Sequence, residues 1–439
     1  MTVESCCKMS SEKVTGFFNK DFNKDLFADI ASSISPGSKC VGFKREVFSS
    51  EGISSGLVAF GASDDARVLG FHAFEVLYQN SADSKLANDD VKTCHVVFKI
   101  KPKCTEMWQT VIKTIGKMAD DQSGDDYAKK TFDCHYGVDR KELAVVNVDE
   151  PVWRAIMPDI YWSRQDVERE IYAFAMENLR FGATHIDAVD DVACWKEDDV
   201  MCVLHDVAAF HALYYGQIER LPEAVKQNLT DMGTMTQTYT DDVIMKFMRR
   251  QLEENKKAFP ELLTPKIISI MEASLINVRK VCTILDGSPH ALTHNDFNPR
   301  NLCLRQTPVP RGKSRLCVYD WEFYRVTNPQ HDVAEFLAFV LPANTEPEAW
   351  LPYVEAYRQA LLQQLRNRNA PSDVQASVED QDRFKQVFDM CVLELVLNRL
   401  GTYMRIHAVL HPMGYLPRIA GNLLRYAEDM TALYDFMFS

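Results

Sequence analysis

His294-Asn295-Asp296-Phe297-Asn298-Pro299-Arg300-Asn301 is the stretch on which the fold turns. Apolar Ala291-Leu292-Thr293 leads into it and Leu302-Cys303-Leu304 leads out, so its polar residues occupy a turn between two hydrophobic segments. On that turn Asp296 and Asn301 stand five residues apart and can point at one spot. Further on, the strand-like run Leu316-Cys317-Val318-Tyr319 ends in a second acid, Asp320, followed by Trp321 and Glu322. A His-x-Asp tripeptide by itself says little, because Asp commonly caps turns. The set says more. An Asp, an Asn and an Asp in this order are the parts that phosphoryl transfer needs: one carboxylate to receive the proton of an acceptor hydroxyl, and an amide and a carboxylate to hold Mg²⁺ on nucleotide phosphates.

Composition limits the alternatives. The chain has 439 residues, enough for two lobes or domains rather than one small core. Its net charge of −13, with no run rich in Lys and Arg, argues against a nucleic-acid partner. The twelve cysteines show neither CxxC spacing nor a Cys/His cluster, so reduced thiols are expected rather than a disulfide framework or structural zinc. No basic-then-apolar leader opens the sequence, and no apolar run is long enough to cross a bilayer. A cytoplasmic protein with no membrane contact is expected, and the Asn228-Leu229-Thr230 sequon reads as a chance match.

The texture changes along the chain. Residues 10–35 predict an amphipathic helix, with Val14, Phe17, Phe18, Phe22, Leu26, Phe27 and Ile30 at three- and four-residue steps. Short β-type runs follow at 41–49, 57–61, 68–78 and 94–101, then helices at 105–120 and 138–148 and strands at 158–162 and 171–176. From about residue 198 helices dominate, at 199–217, 237–258, 265–285, 347–366 and 378–409. The turn-and-strand block 291–323 and a polar linker at 366–377 interrupt them. The fold class is α+β, with a smaller β-rich part before a larger helical one.

With its His-x-Asp-x-x-x-x-Asn loop and its strand ending in Asp320, the chain resembles the aminoglycoside phosphotransferase and choline kinase superfamily, small-molecule kinases of protein-kinase-like fold. The Gly usual between the His and the Asp is Asn295 here, which leaves the Asp/Asn spacing intact. Asp332-Val333-Ala334 matches a further family motif. The resemblance covers roughly residues 41–425 and is specific only at 291–335. It implies a bilobal protein: a helical extension over 1–40, a nucleotide-binding lobe over 41–180 and a helical lobe over 181–439. It implies ATP and Mg²⁺ as cofactors and a small hydroxylated metabolite as acceptor. Asp296 would be the catalytic base, Asn301 and Asp320 the metal ligands, and His294 and Asp332 structural supports of the loop. Lys99, preferred to Lys101 on the strand 94–101, would grip the phosphates, held by Glu142, which is preferred to Glu106. A hinge near 175–180, with Met176, Glu177 and Leu179, would read the adenine edge through its backbone. The small-residue loop 49–56, with Gly52, Ser54, Ser55 and Gly56, would cover the phosphates, although 61–66 competes and either reads equally as a hairpin turn.

Arg300 suits a phosphate contact or an ion pair with a neighbouring acid. Trp321 beside Glu322 can hold an ammonium-type acceptor or pack in the core. Arg399, Tyr403 and His407 recur at four-residue steps and line either an acceptor pocket or a solvated stripe. The reading that follows is an ATP-dependent phosphotransferase acting on a hydroxyl group of a small metabolite. The rival is a nucleotide-binding pseudokinase that serves as scaffold or regulator, and a weaker third option is transfer of AMP to a protein.

Overall fold

The computed structural model describes residues 17–48, 68–80, 91–101, 138–166, 171–190, 192–229, 234–306, 314–409 and 412–433. The expected strand 57–61, helix 105–120 with Glu106, competing loop 61–66, and phosphate loop 49–56 with Gly52, Ser54, Ser55 and Gly56 lie outside these residues. The chain divides into two compact units, Met1–Met107 with Asp159–Phe181 and Trp108–Pro158 with Gly182–Ser439. Residues 138–158, expected in the first lobe, thus belong with the helical unit.

The first unit begins with helix α1 (Lys24–Ile34) and builds a sheet from β1 (Ser38–Glu46), β2 (Gly70–Asn80), β3 (Val91–Lys101), β4 (Ile160–Asp166) and β5 (Ile171–Glu177). The strand order is β1-β2-β3-β5-β4, and every neighbouring pair is antiparallel. The expected helix over 10–35 is shorter where it is described. Asn23 accepts a hydrogen bond from the Leu26 amide at 3.0 Å and so starts α1, while Phe17 and Phe22 before it turn into the sheet core. Leu26, Phe27, Ile30 and Ala31 form the buried face. Phe27 stacks on Phe43 with ring centres 4.0 Å apart and also meets Phe74 and Phe98. Side chains alternate along a strand. Val96, Phe98 and Ile100 of β3 join this core, which puts Lys99 and Lys101 on the opposite face.

The second unit holds α2 (Val138–Val146), α3 (Pro151–Ala155), β6 (Ala183–Thr184), α4 (Glu197–His211), α5 (Met235–Tyr239), α6 (Asp242–Ala258), α7 (Pro265–Ile276) and α8 (Val278–Asp286). Then come β7 (Ala291–Thr293), β8 (Leu302–Gln306), β9 (Ser314–Val318), β10 (Arg325–Thr327) and α9 (Gln330–Val340). It ends with α10 (Leu351–Asn367), α11 (Ser372–Glu379), α12 (Gln381–Leu395), α13 (Gly401–Val409) and α14 (Leu416–Leu433). Two small antiparallel sheets, β10-β7 and β6-β8-β9, sit among these helices. The architecture is therefore α+β, as the sequence texture implies. Among the described residues no helix is long and apolar enough to cross a membrane.

Several expected helices are interrupted. Periodicity runs through 237–258 and 265–285, yet Thr240-Asp241 and Asn277 break them. The Asp241 carboxylate accepts from the Val243 and Ile244 amides at 3.0 and 3.2 Å and opens α6 afresh. Asp241→Ala is expected to cost about 1 kcal/mol of this unit's stability, read by urea unfolding. The expected polar linker 366–377 is largely helical, since α10 runs to Asn367 and α11 begins at Ser372. Within the expected helix 378–409, residues Val396–Leu400 form a π turn.

Candidate functional site

Loop 294–301 links the two small sheets of the second unit, leaving β7 and entering β8. Leu292 at its start and Leu302 at its end are fully buried, so both ends of the loop are fixed by packing. Asn295 takes a φ of 61°, a conformation that favours Gly and next Asn or Asp. This explains why asparagine can stand in the place of the glycine usual in the resembling family. Asp320 likewise sits in the left-handed region, at φ 65° and ψ 53°, which turns the chain sharply out of β9.

Asp332, at the first turn of α9 and fully buried, pins the loop from behind. Its carboxylate accepts from the His294 amide at 2.7 Å and the Asn295 amide at 2.9 Å. His211 Nε2, at the end of α4, lies 3.3 Å from the same carboxylate, and its Nδ1 is 2.8 Å from the Tyr357 hydroxyl. Burial alone would raise the Asp332 pKa. The hydrogen bond from His211 and the charges of His211, His294 and His331 outweigh it and hold the carboxyl below its ordinary value. His294 donates from Nε2 to the Tyr319 carbonyl at 3.0 Å and packs edge-on against Trp321. Asp332 and His294 thus tie the loop to α9 and to the segment that precedes Asp320.

Three donors surround Asp296. Asn298 Nδ2 lies 2.9 Å and Arg300 Nη2 3.3 Å from Oδ1, and Asn301 Nδ2 lies 2.7 Å from Oδ2. Asn301 also reaches the Asp296 carbonyl at 2.9 Å, so the Asp/Asn pair closes the turn on itself. The Asp296 side chain keeps 14 % exposure. Arg300 therefore forms the ion pair with an acid that was one of its two readings. It lies among the rings of Phe339, Tyr403 and Tyr415. Burial works against its charge, and Tyr403, Asp296, Tyr415 and Glu335 more than restore it.

The Tyr319 amide donates to the Asn301 carbonyl at 2.9 Å, tying the loop to the segment that carries Asp320. Ligand atoms of Glu142, Asp320 and Glu322 all lie within 4.8 Å of one another. Glu142, on α2, is buried, and α2 packs on the Trp321–Phe323 turn. Carboxylates and an amide are hard oxygen donors of the type that suits Mg²⁺.

The first unit holds the other expected residues. Lys99 is only 3 % exposed. Its ammonium lies 5.9 Å from the Phe71 ring, its register partner on β2. Lys101 is as buried, so burial does not choose between the two. Met176 and Glu177 end β5 opposite Val97 and Val96, and Leu179 begins a short 3₁₀ turn, Leu179–Phe181, that closes the unit. The Asn178 amide donates to the His95 carbonyl at 2.9 Å, so the expected hinge is anchored to β3.

The tentative acceptor residues fare differently. Trp321 is core: it is 2 % exposed, packs against Trp153 and Phe210, and donates from Nε1 to the Val318 carbonyl at 3.0 Å. Its face is closed to a cation. Arg399 donates to the Asn295 carbonyl and lies 3.9 Å from Glu335, while Tyr403 donates to Glu335 at 3.1 Å and receives Arg300 Nη2 at 3.3 Å. Through these contacts they brace the loop. His407 does not join them. Each four-residue step drifts about 40° around a helix, and His407 ends beside Phe259, with its Nδ1 accepting from the Met413 amide at 2.9 Å.

Three residues essential to this arrangement were missed in the sequence: Asn298, His211 and Glu335. Asn298 lay inside the quoted stretch, and Glu335 is one helical turn beyond Asp332, a spacing that could have flagged it. His211 carried no local signal.

The profile of the ecdysteroid kinase-like family matches residues 149–370. That span contains loop 294–301, Asp320 and Asp332, and omits Lys99, Glu142 and Arg399. No curated protein matches the chain. Among solved structures, choline kinase from Cryptosporidium parvum Iowa II is similar at 11% identity over 90% of this chain and 94% of its own, with a TM-score of 0.43. Plasmodium vivax ethanolamine kinase is similar at 7% identity over 90% and 83%, TM-score 0.43. The GDP complex of aminoglycoside 2'-phosphotransferase-IIIa is similar at 10% identity over 93% and 99%, TM-score 0.38.

Proposed function

The chain belongs to the ecdysteroid kinase-like family, and from that membership we propose that it transfers the γ-phosphoryl group of ATP to a hydroxyl group of a small molecule. The family's name makes a polyhydroxylated steroid of ecdysteroid type the first acceptor to try. The observation that carries the reading is Asp296. Its side chain stays 14 % exposed while Asn298, Arg300 and Asn301 fix the orientation of the carboxylate.

In the proposed reaction the acceptor hydroxyl bonds to Asp296, which orients it and takes its proton as the oxygen attacks phosphorus. Such general-base help is worth about 10²–10⁴ in rate. Asp332 and His294 hold the loop so that this geometry does not depend on the acceptor. Lys99 is assigned to the nucleotide phosphates, and Met176, Glu177 and Leu179 to the base through their backbone. Asn301, whose Nδ2 is engaged with Asp296, would offer its Oδ1 to Mg²⁺ together with Asp320, with Glu142 and Glu322 adding negative charge nearby. A Mg²⁺ held there would supply positive charge to offset the negative charge on the transferring phosphoryl group.

Asp320→Asn is expected to raise the Mg²⁺ concentration for half-maximal activity. The rise should exceed the roughly 10–100-fold loss of metal affinity seen for outer-shell partners. A Mg²⁺ titration of ATP turnover reads it, and an unchanged midpoint would remove Asp320 from the metal site. The proposal as a whole is tested by ADP release from MgATP with a panel of ecdysone, choline, ethanolamine and an aminoglycoside. Stimulation by one acceptor supports the kinase reading and selects the acceptor class. Nucleotide binding with no stimulation by any of them would favour a pseudokinase.

A further inference from the structure

Glu335 is 2 % exposed on α9 and has no role in the reaction proposed above. Its carboxylate meets the loop twice, accepting from the Phe297 amide at 3.1 Å and from Asn298 Nδ2 at 3.4 Å. On its other side it meets the last helices, with the Tyr403 hydroxyl at 3.1 Å and Arg399 Nε at 3.9 Å. One Asn298 side chain therefore bridges Glu335 and Asp296, and its Oδ1 in turn accepts from Arg300 Nε at 3.0 Å.

The charges in this cluster balance. Asp296 and Glu335 are two carboxylates, and Arg300 and Arg399 are two guanidiniums that each feel both acids. Glu394, the other acid that acts on Arg399, is engaged by His331 at 3.0 Å, by Asn398 at 3.2 Å and by Tyr239. With Glu335 neutralised, Asp296 would be the one carboxylate among the described residues that still acts on both arginines, in a largely buried site where such attractions are strong. It would then be drawn to the guanidiniums and away from the acceptor.

We propose that Glu335 is a positioning residue for phosphoryl transfer, which satisfies Arg399 and Asn298 so that the Asp296 carboxylate stays directed at the acceptor hydroxyl. The assignment rests on the phosphotransferase reading. It also gives Tyr403 and Arg399 a definite task, as the struts through which the last helices hold the loop.

The test compares the wild type with Glu335→Gln, Arg399→Gln and the double variant, using MgATP and the acceptor the wild type uses best among ecdysone, choline and ethanolamine. Affinity for a fluorescent ATP analogue and melting temperature are measured alongside. Glu335→Gln keeps the shape and one acceptor oxygen and removes the charge. Its kcat is expected to fall about 100-fold, the scale of a small misplacement of a reacting group, with KM for ATP unchanged. Adding Arg399→Gln removes the excess positive charge and is expected to recover kcat about tenfold. A Glu335→Gln variant with wild-type kcat would overturn the assignment. So would a loss that Arg399→Gln deepens and that ATP affinity and melting temperature share, the pattern of a merely structural residue. A wild type that binds nucleotide but turns over none of the acceptors would instead overturn the phosphotransferase reading, and the assignment with it.

Discussion

Asp296→Asn is expected to lower kcat for acceptor phosphorylation by about 10²–10⁴-fold while leaving ATP affinity within a few-fold of the wild type. The amide has the size of the carboxylate, and its oxygen in the place of Oδ1 can still accept from Asn298 and Arg300, so the loop retains its shape. It cannot take up the proton of an attacking hydroxyl. The groups assigned to the nucleotide, Lys99 and the 175–180 segment, belong to the other compact unit. Single-turnover kinetics with saturating ATP separate the two effects. A variant with near-normal kcat would mean that another group takes the proton.

Asp332→Asn is expected to have the largest effect on stability, about 3–5 kcal/mol, because it breaks a buried charged cluster by removing one member. The fully buried carboxylate accepts from two backbone amides and from His211. An amide in its place turns a donor toward donors. The loop loses its anchor as well, so kcat should fall along with the melting temperature. The pH dependence has a definite sign. The folded Asp332 pKa is depressed relative to its unfolded value of about 3.9, so its contribution is fully present above that value. It is lost as pH falls through the lower folded value. The stability gap between wild type and Asp332→Asn should therefore be constant near neutrality and shrink below about pH 4, which melts in an acid pH series would read. A gap that widens on acidification would contradict the assigned charge state.

The residues of loop 294–301 were legible because the chemistry there is local. Asn301 must reach Asp296 across one turn, which fixes their spacing at five residues, and the 2.7 Å contact shows why that spacing carries information. Asn295 was a departure in the sequence and becomes intelligible only through its φ of 61°. Asp332 was legible by resemblance, and its two amide bonds supply the physical reason. The strands of the first unit were legible as short β-type runs, with bounds that shift by a few residues at their ends.

What was not legible depended on long-range partners. Trp321 is apolar, ring-shaped and next to an acid in either of its readings, and only Trp153, Phe210 and the Val318 carbonyl decide for the core. Arg399 and Tyr403 share a face in the sequence, but what that face meets is Glu335, from another helix. Helix periodicity passes through Thr240-Asp241 and Asn277 because the flanking helices keep apolar faces. The breaks lie in capping residues that a period count averages away.

The most direct measurement is the mass of the acceptor after incubation with MgATP and the wild-type protein, beside the Asp296→Asn variant. One acceptor of the panel is expected to gain about 80 Da, one phosphoryl group, with wild type and at least about 100-fold more slowly with the variant. An acceptor that gains the same mass at the same rate with both proteins, or a wild type that binds ATP and modifies none of them, would contradict the phosphotransferase reading.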